Sequence, residues 1–170
     1  REGHIENVGI LLKVGADPKK RNRFGLSPVH KFLESTKKQN VQLLELLLEH
    51  GAPARQVGEI DTSPLYAATY LGRADFIALL IKHGANPNER YRLTHEKIPM
   101  IVTDKVLRDV VSNGGTPLLI AAQMGHLSAA KQLINLGADP KISVNGKFGN
   151  HTAQSLAKAS GNRTLLNYIG

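Results

Sequence analysis

Cysteine is absent from this chain, which excludes disulfides and thiolate-held metals together and fits a reducing, cytoplasmic setting. Tryptophan is absent too, and aromatic residues make up only 5% of the chain. Stacking platforms for single-stranded nucleic acid are therefore scarce. No apolar run approaches the ~20 residues of a membrane span, and Arg1 opens no signal-peptide pattern. Glycine-rich phosphate-loop spacing is missing, no serine sits in a nucleophile elbow, and His95 and Glu96 lack HExxH spacing. The expectation is a chain without catalytic residues, cofactor or metal. Acidic residues are the minority, 14 against 22 Lys and Arg, leaving a formal charge of +8. That balance favours acidic partners. The densest basic run, "KKRNR" over Lys19–Arg23, reads either as solvated loop charge or as part of such a contact.

What the sequence does contain is periodicity. A Gly-Ala pair closes a Leu-rich stretch at Gly15, Gly51, Gly84 and Gly137. A Ser/Thr-Pro step stands at Pro28, Pro64 and Pro117. Glycine to proline is 13 positions from Gly15 and again from Gly51, and proline to glycine is 20 from Pro64 and again from Pro117. The unit is thus 33 residues, a solenoid period. Each mark has a physical reason. Ser or Thr before proline is placed to cap a short helix, proline at the first helical position forfeits no hydrogen bond, and the glycines supply left-handed termini. Thr116 is expected to cap the helix that Pro117 begins. Ala121 and Ala122 are small enough for neighbouring helices to approach closely.

"GLSPVHKF", "DTSPLYAATYLGR" and "GGTPLLIAAQMGHLSAAKQLINLGADP" resemble the ankyrin repeat, whose sentence runs T-P-L-H-x-A-A-x-x-G-H…L-L…G-A-D. The resemblance implies an all-α solenoid of stacked helix-turn-helix units with hairpin finger loops. The expected layout is a partial repeat at 1–20, repeats at 21–54 and 55–88, a finger-loop insert at 89–113, a repeat at 114–141 and a degenerate closing repeat at 142–170. Because the chain opens within a unit, it reads as a fragment of a longer protein. His30 and His126 fall where the family uses histidine to knit turns, while His50 and His83 end second helices.

Two irregularities stand out. Pro28 to Gly51 is three positions longer than the standard interval, the excess falling around "ESTKKQN", where Lys37 and Lys38 are expected to face outward. Twenty extra residues enter between Gly84 and Pro117. Within them Ile98, Met100 and Val102 alternate as a short extended piece. Thr103 is a plausible cap for a helix with Val106, Leu107, Val110 and Val111 on one face. So short a helix is marginal alone, and it docks either on its own repeats or on a partner.

The family resemblance further implies a protein-binding scaffold gripping its partner through the fingers and the exposed, concave side of the first helices. Carried onto matching positions, the contact set is Arg21, Arg23, Phe24, Leu26 and Lys31, then Thr62, Ala67, Tyr70 and Leu71, then Ile120, Gln123 and Met124. Arg90, Tyr91 and Arg92 join it at the root of the insert. The partner expected is another protein carrying an acidic patch, in preference to nucleic acid or an anionic membrane, bound by a chain that is itself monomeric. The alternative is a recruitment arm of a larger multidomain protein or of a bacterial effector acting in host cytosol, with its chemistry in another domain.

Overall fold

The structure, a computed structural model, describes residues 2–23, 25–34, 40–55, 63–91 and 103–170. Lys37, Lys38, His95 and the alternating piece at Ile98–Val102 lie outside them. Helices occur in pairs: α2 (Pro28–Glu34) with α3 (Val41–Glu49), α4 (Pro64–Tyr70) with α5 (Ala74–Lys82), α7 (Pro117–Gln123) with α8 (Leu127–Asn135), and α9 (Ala153–Ala159) with α10 (Arg163–Ile169). Helix α1 (Glu2–Lys13) precedes them, α6 (Lys105–Ser112) arises from the insert, and β1 (Val144–Gly146) pairs antiparallel with β2 (Gly149–His151) as a finger hairpin.

The pairs stack in two rows. First helices run α2–α4–α7–α9, and second helices run α1–α3–α5–α8–α10, each touching the next. The rows stay continuous across the insert, since α4 packs on α7 and α5 on α8. One apolar core threads them, from Leu44 through Leu65, Phe76 and Leu80 to Leu118, Leu133 and Leu156. Ala121, Ala122, Ala129 and Ala130 are wholly buried, and their missing side-chain bulk sets the close spacing.

Local chemistry fixes the element ends. Pro64 and Pro117 occupy first-turn positions. The Ser63 hydroxyl accepts from Leu65 N at 3.1 Å. Thr116 does not cap its helix as expected: it makes no side-chain cap bond and is buried among the packed elements. The second helices close alike, with Gly51, Gly84 and Gly137 at φ of 88°, 96° and 94°. The following alanine N–H then reaches back to Leu47 O, Leu80 O or Leu133 O at 2.9 Å.

Residues after the first-helix glycines bind adjacent units together. His126 Nε2 bonds Tyr70 O at 3.0 Å, and Asn162, the matching residue one unit on, donates to Gly125 O at 3.2 Å. His30 instead bonds within its own turn, its Nδ1 lying 2.7 Å from Ser27 Oγ. His50 and His83 stand at the C-caps of α3 and α5 as expected. No helix among the described residues is long and apolar enough to cross a membrane.

Candidate interaction surface

The insert helix decides which surface remains available. Helix α6 begins at Asp104 and not at Thr103: the Asp104 Oδ1 accepts from Leu107 N at 2.8 Å. Its other oxygen accepts from Gln123 Nε2 at 3.1 Å, so this one carboxylate both starts α6 and ties it to α7. Leu107 and Val111 face inward with Tyr66, Tyr91 and Ile120 in a second apolar cluster, on whose edge Tyr70 and Met124 pack. Val110 enters the main core, and Val106 packs against that core. Of the two docking modes open to this helix, the fold uses its own repeats.

Several expected contact residues are therefore spent internally. Ile120 is 0% exposed and Tyr91 4%, so neither presents a surface. Tyr91 N donates to Gly115 O at 2.9 Å, and its ring meets Tyr66 edge-on with centroids 5.1 Å apart. Tyr70 stacks on Tyr66 with centroids 6.2 Å apart. Tyr70, Gln123 and Met124 end half-buried beneath or beside α6. The missed signal was the composition of α7, PLLIAAQ, which is apolar nearly all round and so buried all round.

Leu71 stays open, 45% exposed, and Lys31, Arg23 and Arg90 are also exposed. Arg21 is half-buried and donates from Nη1 to Gly25 O at 2.9 Å, shaping its own turn. Leu26 is half-buried, its N–H bonded to Asn22 Oδ1. Arg90 reaches Gly114 O at 3.4 Å. Phe24, Thr62 and Arg92 lie outside the described residues.

A polar knot joins the root of the insert to α4. Glu89 Oε1 accepts from Ser63 Oγ and from the Tyr91 hydroxyl, and burial holds this carboxyl above the usual range despite both donors. Burial also pushes the Tyr66 phenol up to about 12, with Tyr70 adding to the rise.

Asp109, on the opposite side of α6, was not foreseen. Its buried carboxylate accepts from Asn113 Nδ2 at 3.0 Å and Lys147 N at 2.9 Å on one oxygen. The other accepts from Phe148 N at 3.0 Å and His151 Nε2 at 2.8 Å. Burial pushes the Asp109 carboxyl up, but the Phe148 N–H, His151 and the Lys147 N–H together hold it below its usual range. Gly146 makes room for this contact: a Cβ there would collide with the Asp109 carboxylate.

Comparison with known proteins agrees with this architecture. A family model for ankyrin repeats in three copies matches residues 1–91, and one for a single ankyrin repeat matches 113–145. The chain belongs to the ankyrin-repeat family. It is 37% identical over 84 residues to cyclin-dependent kinase 4 inhibitor B of Rattus norvegicus, covering 49% of this chain and 62% of that protein. It is 31% identical over 99 residues to the 2-5A-dependent ribonuclease of Homo sapiens, covering 58% of this chain and 11% of that protein. With ankyrin repeat protein nuc-2 of Neurospora crassa, identity is 27% over 154 residues, or 82% of this chain and 14% of that protein. The chain thus spans less than two thirds of the length of each.

Proposed function

We propose that this chain is a non-catalytic scaffold that binds a partner protein along the open part of its first-helix row and its finger loops. The observation that carries the reading is the pairing of a continuous first-helix row with exposed Leu71 and Lys31 on it, beside the stretch that α6 covers. An exposed leucine and exposed cations along one row have the make-up of an interface, an apolar anchor with charged groups around it. Arg21, Arg23, Phe24, Leu26, Thr62, Arg90 and Arg92 belong to the same proposed surface, with Tyr70, Gln123 and Met124 at its margin. Ile120 and Tyr91 do not. The charge of +8 favours a partner with an acidic patch over a neutral one. The proposed working form is a monomer in the cytoplasm.

The relatives support a binding role: one is named as an inhibitor of a kinase. A second reading, a recruitment arm within a larger protein, is favoured by the small shares, 11% and 14%, that the match occupies in the ribonuclease and nuc-2. Both readings make the same first prediction. The double variant Lys31→Glu/Leu71→Glu should capture at least about tenfold less partner in quantitative affinity capture, with circular dichroism unchanged because both side chains are exposed. Capture at full strength would remove the first-helix row from the reading.

A further inference from the structure

A cavity of about 420 Å³ opens between α6 and the tip of the β1–β2 hairpin, within the ~300–1,000 Å³ that ligand sites occupy. Lys105, Arg108 and Ser112 line it from one stripe of α6, at positions i, i+3 and i+7, and Lys147 and Phe148 line it from the hairpin. Three cations thus meet in one concavity, although the two on α6 and the one on the hairpin are 39 or more residues apart in sequence. None of the three makes an ion pair among the described residues. Among the described residues, the only carboxylate in the lining is Asp109, and both its oxygens are already filled by two donors each.

Among the described residues, Arg108 Nε and Ser112 Oγ are buried without a hydrogen bond, which costs free energy at the wall of this cavity. At the rim the Phe148 ring is 55% exposed, a large apolar surface next to unpaired charge. A bound oxyanion would sit among the Lys105, Arg108 and Lys147 side chains and neutralise them.

We propose that this pocket binds an acidic segment of a partner protein, seating an Asp or Glu carboxylate among Lys105, Arg108 and Lys147 with a neighbouring apolar side chain on Phe148. A small, open concavity with one aromatic at its edge fits a side chain. It does not fit a nucleic-acid backbone, which needs an extended cationic track with repeated stacking surfaces. The inference rests on reading the chain as a protein-binding scaffold and adds the chemistry of what is bound.

The test uses the whole chain and a fluorescein-labelled peptide, Glu-Glu-Leu-Glu-Glu, followed by fluorescence anisotropy and by amide shifts in NMR spectra. Saturable binding is expected, with the largest shifts at Arg108, Ser112, Lys147 and Phe148. Arg108→Ala and Lys147→Ala should each weaken it about tenfold, as loss of one charge-assisted contact does. Arg108→Lys should recover part of that loss, and Phe148→Ser should weaken the Leu-containing peptide more than an all-Glu one. Unchanged thermal unfolding in Phe148→Ser and Lys147→Ala, both at exposed positions, separates lost binding from lost fold. The proposal is overturned by absence of binding, by shifts clustered elsewhere, by equal affinity across the variants, or by a thymidine oligonucleotide binding more tightly than the peptide. The Lys31→Glu/Leu71→Glu variant should bind this peptide as the parent does, so failure here and failure of the first-helix surface give different results.

Discussion

Asp109 shows how much can rest on one side chain. Its carboxylate is the acceptor that holds two backbone N–H groups of the hairpin tip, the His151 ring and Asn113 to α6. An unfolded aspartate titrates near about 3.9, and the folded one titrates lower. The stabilisation is therefore complete above the unfolded value and fades as pH falls through the folded one. Asp109→Asn should cost about 1–3 kcal/mol at neutral pH and flatten the acid side of the stability curve. Equilibrium unfolding in urea between about pH 3 and pH 7 checks both. Nothing local announces this residue, because His151 is 42 positions away and the two share no motif. Pro64, Pro117 and the Gly-Ala pairs were legible for the opposite reason: their roles are set by the neighbouring backbone.

At the scale of elements, the helices begun at Pro28, Pro64 and Pro117 were legible because units that stack must repeat the same caps and breaks, whereas the closing pair carries neither the proline nor the Gly-Ala mark. The apolar stripe of α6 was equally visible. Its docking site was not, since stripe and receptor come together only in the folded array, and Tyr70, Ile120 and Met124 look like contact residues until α6 lies on them. Burying Leu107 and Val111 contributes about 1.5–3 kcal/mol each. Leu107→Asp should release α6 while leaving the repeat core folded. Three of the four tyrosines lie in or against the second cluster and the chain has no tryptophan. Near-ultraviolet circular dichroism should accordingly lose most of its tyrosine signal in that variant. In alkaline titration, Tyr66 should move from about 12 toward the ordinary value near about 10. A wild-type-like spectrum would mean that α6 contributes nothing to the packing of those rings.

At the scale of the molecule, each helix pair leans on the pair before and the pair after, so protection should follow neighbours and not size. Native-state hydrogen exchange should be slowest in α4, α5, α7 and α8, which carry wholly buried residues such as Leu65, Phe76, Leu118 and Leu133. It should be fastest in α1. Leu11 there is 56% exposed, whereas the matching residues Leu47, Leu80 and Leu133 are 6%, 0% and 0% exposed. Uniform protection along the chain would contradict a stack held by nearest-neighbour contacts.

The fit of Asp109 over Gly146 has a consequence for how such an array is assembled or re-engineered. Repeat units are ordinarily interchangeable parts, but here the extra helix and the following finger are cut to one another, like a key and its ward. Transplanting the segment around α6 into a different array would need the downstream hairpin, with its glycine and His151, to travel with it. Shuffling either one alone would leave a carboxylate facing a Cβ, or an empty notch.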